Sequence, residues 1–147
     1  MDFSELTIRK MNIDDYDDLI KVWKEAGLLY RPKGRDRKNK ISKELKKPST
    51  NILLMEYEHN IIGSILVTHD GRKGWINRLA IAPQFRNKGL AQKLIAEAEK
   101  ILIQQGIEII ACLIEDWNEQ SIKLFQKVGY KKHTDIIYFT KRINPDV

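Results

Sequence analysis

Apolar residues gather in four short, nearly unbroken runs, over residues 51–57, 61–68, 75–82 and 107–114. Each is flanked by glycine, proline, Asn or Asp, so the pattern predicts strands rather than helices. The first two form an antiparallel meander turning at Glu58-His59-Asn60, and Asp70-Gly71 marks the turn into the third. The fourth is continuous enough to be covered on both faces. A looser alternation over residues 6–11 predicts a first strand, and residues 130–133 and 135–143 predict a closing hairpin.

Between the runs the period changes to that of a helix. Leu90, Ala91, Leu94, Ile95, Ala98, Ile101 and Leu102 predict a long helix that starts between Asn87 and Gly89, runs to about Gln105 and has Gly106 as a left-handed cap. Leu19, Ile20, Val22, Trp23 and Ala26 predict an earlier helix, capped by Asn12 and ended by Gly27. Asp14, Asp15, Asp17 and Asp18 near its start read as dipole complementation on a solvated face rather than as a metal site. Ile122, Phe125 and Val128 predict a late helix that Gly129 closes. Residues 36–47 offer only Ile41 and Leu45 as aliphatic anchors, so a helix there should pack weakly and be mobile. The sum is an α/β fold: a mixed sheet of about seven strands with about four helices on both faces, antiparallel except around one central βαβ unit.

The third run must stop at Pro83, which has no N–H for a sheet ladder. The chain then passes through Gln84-Phe85-Arg86-Asn87-Lys88-Gly89 into the long helix. Helix N-termini gather unpaired N–H groups and about half a unit of positive charge. With Arg86 and Lys88 beside it, this turn suits a phosphate or pyrophosphate. Gly89 leaves room for close approach of the backbone to a ligand. Neither GxxxxGK[ST] nor GxGxxG occurs, so the residues specify an anion cradle and no particular nucleotide. They read equally well as a solvated helix start with a turn glycine.

Arg86-Asn87-Lys88-Gly89-Leu90-Ala91 resembles the Q/R-x-x-G-x-G/A signature of the GNAT family of acetyl-coenzyme A dependent N-acetyltransferases. Leu79-Ala80-Ile81-Ala82-Pro83 is similar to the family's preceding strand and proline, and residues 118–130 to its N-x-x-A-x-x-x-Y-x-K-x-G-F/Y segment. The resemblance covers the order of elements over nearly the whole chain. It implies a GNAT-like fold, one N-acetyltransferase domain over residues 1–147, and transfer of an acetyl group from acetyl-CoA to a primary amine by direct attack in a ternary complex. Leu79, Ala80 and Ile81 would bond the pantetheine arm, and the backbone of Arg86, Asn87, Lys88, Gly89, Leu90 and Ala91 would hold the pyrophosphate. Asn118 and Phe125 would also contact the coenzyme. In the family the thioester lies where two parallel strands splay, so the Ile81 N–H would polarise its carbonyl. The connection between the first two helices helps form the acceptor site, which makes Tyr30, Arg31 and Arg35 substrate contacts by resemblance. No metal is implied.

Two departures from the family pattern bear on catalysis. Phe125 stands where a tyrosine commonly protonates the leaving thiolate, so water, Tyr130 or Tyr138 would have to serve. No acid lies within residues 75–82, which leaves Glu115 and Asp116 as general-base candidates and His69 as a weaker one. Phe125 and the missing strand carboxylate also permit a coenzyme A-binding sensor or regulator without turnover.

A chain of 147 residues is long enough for one real core. Its single cysteine, Cys112, lies in an apolar run and reads as a core thiol, with no intrachain disulfide available. No signal peptide and no apolar run of ~20 residues is present, which points to a cytoplasmic protein without a membrane partner. The net charge of +6 is concentrated between Arg31 and Lys47. That excess fits an acceptor bearing a carboxylate or phosphate, long-range attraction of the coenzyme's phosphates, or nucleic acid. Only Tyr30 accompanies the basic cluster, which argues against a stacking platform for single strands. The acceptor's identity and the oligomeric state are not written in these patterns, which are compatible with a homodimer.

Overall fold

The computed structural model describes residues 3–147. Strands β1 (Thr7–Lys10), β2 (Thr50–Tyr57), β3 (Asn60–His69), β4 (Gly74–Ile81) and β5 (Ile110–Ala111) form one sheet in that order. The first four pair antiparallel, whereas β4 and β5 pair parallel. Helices α1 (Tyr16–Glu25), α2 (Lys38–Glu44), α3 (Leu90–Gln104) and α4 (Glu119–Lys127) complete the architecture. The expected βαβ unit is therefore β4, α3 and β5.

Continuous apolar runs arise here because successive strand residues feed opposite faces. In β2, Leu53 and Met55 join Ile65, Val67, Ile76 and Ile81 under Leu90, Leu94, Ile95, Ala98 and Leu102 of α3 and Phe125 of α4. Ile52 and Leu54 join Ala80 on the other face, under Leu19, Val22 and Trp23 of α1 and Ile41 of α2. The sheet thus separates α1 and α2 from α3 and α4.

Several expectations need correction. Asp15 is buried rather than on a solvated face. It takes two hydrogen bonds of 2.8 Å from the Arg9 guanidinium and one from the Asn12 amide, closing a capping box in which Asn12 caps a 3-10 turn at Ile13–Asp15 that leads into α1 rather than α1 itself. The fourth apolar run forms strand only at Ile110–Ala111. Residues 130–143 form no strand, so the sheet has five strands rather than about seven. The physical reason is the lack of a partner: alternation becomes a strand only where a neighbour offers a ladder, and β5 is two residues long. Ile136, Ile137, Tyr138 and Phe139 are correspondingly exposed. The basic segment contributes the shorter helix α2, anchored by the buried Ile41. Among the described residues, no helix is long and apolar enough to cross a membrane. Nor does any group of His, Cys, Asp or Glu there have a metal-holding arrangement.

Candidate functional site

A bulge in β4 shapes the region around the third apolar run. Ser64 pairs with Ala80 but Leu66 pairs with Asn77, which sets Arg78 and Leu79 together opposite Ile65. Arg78 takes the positive φ of 53° that such an extra residue needs. On the other edge, β5 pairs with β4 only at Gly74 and Trp75, leaving residues 76–81 without a strand neighbour among the described residues. The Ala82 N–H donates to the Ile62 carbonyl at 2.8 Å. Because an antiparallel ladder alternates, the Ile81 N–H is turned toward the unpaired edge.

Beyond β4 the chain makes a single turn of 3-10 helix at Pro83–Phe85, then reaches α3 through Asn87 at φ 62° and Gly89 at φ 76°. Gly89 is the N-cap of α3; no side chain caps this end and no acid occupies its first turn. The opening amides therefore keep their donors for a ligand. A Cβ built on Gly89 would meet nothing within 4 Å, so the left-handed backbone is what calls for glycine, and the space beside it is open. Arg86 departs from expectation. Its Nε donates to the Ile81 carbonyl at 3.3 Å and its Nη2 to the Ala26 carbonyl at 3.1 Å, tying the turn to the end of β4 and the end of α1. Lys88, Leu90 and Ala91 follow the turn, with Lys88 exposed and Leu90 buried.

On the α1 side of the sheet, Asp36 organises the loop that holds Tyr30, Arg31 and Arg35. Its Oδ2 accepts the Arg31 N–H at 2.6 Å and Arg78 Nη2 at 2.8 Å, while the Tyr16 hydroxyl donates to its carbonyl at 2.8 Å. Arg78 also donates to the Leu29 carbonyl and lies 5.1 Å from the Trp23 ring centroid. Trp23 in turn donates to Ser64 Oγ at 3.1 Å. Burial lowers the pKa of Arg78 and Asp36 opposes that shift, so the guanidinium remains charged. Sequence reasoning missed this pair. The available signal was a lone arginine within an apolar strand, which needs a buried partner. Asp36 is the only acid between Glu25 and Glu44. Tyr30 packs on Trp23 at 6.1 Å and, with Pro32 and α1, lines a shallow groove of about 580 Å³.

The other predicted residues are dispersed. Glu115 and Asp116 occupy an exposed turn ahead of α4. Asn118 caps that helix, its Oδ1 accepting the Ser121 N–H at 3.3 Å. His69 pairs with Gly74 at the opposite end of β4 from Ile81 and meets Gln105 Oε1 at 2.6 Å. Phe125 is buried edge-on to Tyr130, with ring centroids 5.1 Å apart. The Tyr130 hydroxyl donates to Glu99 Oε2 at 2.8 Å; burial, then that carboxylate, raises its pKa. Tyr138 is exposed. Burial pushes the half-buried Cys112 thiol up to about 11, so it stays protonated and non-nucleophilic at neutral pH.

The model of the Acetyltransferase (GNAT) family matches residues 14–130, a span containing the bulge, the α3 turn, Asn118 and Phe125. The chain belongs to the GNAT acetyltransferase family. Acetyltransferase plu1384 of Photorhabdus laumondii is 31% identical over 142 residues, 96% of this chain and 98% of its own. Acetyltransferase SG1711 of Sodalis glossinidius is 29% identical over 141 residues, again 96% of this chain and 98% of its own. The PaiA N-acetyltransferase of Thermoplasma acidophilum, solved in complex with coenzyme A, shares the GNAT fold with a TM-score of 0.76 at 24% identity. That likeness covers 86% of this chain and 89% of PaiA. AAC(6')-Iy, solved with a bisubstrate analog, has a TM-score of 0.79 at 19% identity over 95% of this chain and 99% of its own.

Proposed function

We propose that this GNAT acetyltransferase moves the acetyl group of acetyl-CoA onto a primary amine, both substrates being bound together. The observation that carries the reading is the unpaired β4 edge, which ends in the outward-turned Ile81 amide and leads directly into the uncapped start of α3. Family membership supports acetyl-CoA as donor, and the coenzyme A held by the PaiA structure agrees with it.

The backbone from Arg86 to Ala91 holds the pyrophosphate on the α3 amides, and Lys88 adds charge. Arg86 acts by fixing the turn, because its guanidinium is occupied by two carbonyls. The edge of Leu79, Ala80 and Ile81 orients the pantetheine arm as an added strand. The Ile81 N–H donates to the carbonyl oxygen as negative charge develops there. Glu115 or Asp116 takes a proton from the acceptor's ammonium, directly or through water, so that the neutral nitrogen forms the new C–N bond as the C–S bond breaks. Asn118 uses its amide N–H groups toward the coenzyme while its oxygen caps α4. Phe125 supplies an apolar wall and no proton, so water takes the second proton from the nitrogen as the amide forms and delivers one to the departing sulfur.

Release of free thiol from acetyl-CoA in the presence of a panel of amines tests this reading. Amine-dependent release is expected. Coenzyme binding with release no higher than background would instead establish a sensor, the alternative that Phe125 and the Glu99-bound Tyr130 favour.

A further inference from the structure

The loop between α1 and α2 carries more positive charge than it neutralises. Gly34 and Asp36 both donate their N–H to the Arg31 carbonyl at 3.0 Å, closing a tight turn with Arg31 and Arg35 beside Asp36. Asp36 Oδ2 already serves Arg78 and the Arg31 amide. Arg31 and Arg35 are exposed, form no ion pair among the described residues, and exert their charge on Arg78. The one carboxylate of this loop is thus taken up by Arg78 and a backbone amide, and the charges of Arg31 and Arg35 are left without a counter-ion among the described residues.

The position of this surplus decides between its uses. Arg78 is the bulge residue of β4, and its contacts with Trp23 and Asp36 lie on the face covered by α1 and α2. α3, whose amides are assigned to the pyrophosphate, covers the other face. The pyrophosphate turn already has Lys88 in it, whereas Arg31 and Arg35 lie in the loop between α1 and α2, whose tie to the sheet is on the face away from α3.

We propose that the acceptor is a primary amine that also bears an oxyanion, a carboxylate or a phosphate, docked by Arg31 and Arg35. The Arg78–Asp36 pair holds their loop against the β4 bulge. This assignment rests on the acetyl-transfer reading above and makes a polycation such as an aminoglycoside a poor acceptor. Planar guanidinium groups suit both oxyanions bidentately, and loss of one such contact costs roughly tenfold or more in affinity.

The test compares thiol release with β-alanine, O-phosphoethanolamine, ethanolamine and spermidine, using the wild type and the exposed-site variants Arg31→Ala, Arg35→Ala and Arg35→Glu. At least one oxyanion-bearing amine is expected to exceed ethanolamine and spermidine by roughly tenfold or more in kcat/KM, and β-alanine against O-phosphoethanolamine tells carboxylate from phosphate. Arg35→Glu should raise that acceptor's KM by roughly tenfold while leaving the KM for acetyl-CoA and the melting temperature unchanged. Equal or faster reaction with ethanolamine or spermidine, or an unchanged ranking in Arg35→Glu, overturns the proposal. If calorimetry shows coenzyme A binding but none of the four amines reacts, the substrate class falls while the coenzyme site stands. Failure to bind coenzyme A overturns the acetyl-transfer reading itself.

Discussion

Arg78 and Asp36, 42 residues apart, meet at 2.8 Å with side chains only 11% and 8% exposed. The pair joins the loop between α1 and α2 to the bulge of β4, linking local backbone geometry to the position of a loop far away in sequence. Removing the acid alone leaves a desolvated guanidinium without its counter-charge, which costs about 3 kcal/mol or more. Asp36→Ala should lower the stability to urea unfolding by that order and raise hydrogen exchange across residues 28–37. A loss below about 0.5 kcal/mol, the usual range for a surface substitution, would show that the pair is not a structural tie.

Phe125→Tyr should keep or raise kcat. The substitution restores a phenol where the family commonly has one, and a general acid contributes ~10²–10⁴-fold. Tyr130→Phe should leave kcat unchanged, since its hydroxyl is engaged by Glu99 at 2.8 Å. It should cost about 1 kcal/mol of stability for the lost hydrogen bond. A sharp fall in kcat for a folded Phe125→Tyr variant contradicts the assignment of position 125, and a comparable fall for Tyr130→Phe would make that phenol the acid.

Asp15 gives the fold a directional response to acid. Its hydrogen bonds from Arg9, helped by the Asn12 amide and opposed by burial, hold its carboxyl below the ordinary 3.8. A depressed carboxylate contributes stability that is complete above its unfolded value and disappears as pH falls through the folded one. Urea midpoints measured from about pH 6 down to about pH 2 should therefore fall in the wild type below about pH 4. Asp15→Asn should lose stability at neutral pH and show a shallower acid-side decline. Parallel pH profiles for the two proteins would remove Asp15 from the account.

The elements that the sequence made legible are those whose cause is local. α3 begins at Leu90 after Gly89 and ends at Gln104 before Gly106, within a residue of its 3.6-residue pattern and its glycine cap. Asn12 was readable as a cap for the same reason. What escaped depends on distant partners. The bulge at Arg78 is set by register against β3, and the burial of Asp36 by where β4 lies beneath its loop. Arg86 read as a phosphate ligand because sequence could not show the Ala26 carbonyl beside it. The alternating residues 130–143 promised a hairpin, but a short β5 gives them no ladder.

The central claim is that the backbone amides opening α3 hold the coenzyme's pyrophosphate. Gly89 sits at φ 76°, a conformation that Asn and Asp tolerate better than other side chains, so Gly89→Asn and Gly89→Asp differ mainly by one negative charge. Calorimetric titration of coenzyme A into the wild type and these two variants is the most direct measurement. The account predicts binding by the wild type and at least roughly tenfold weaker binding by Gly89→Asp than by Gly89→Asn, at matched melting temperatures. Equal affinity in the two variants would contradict it.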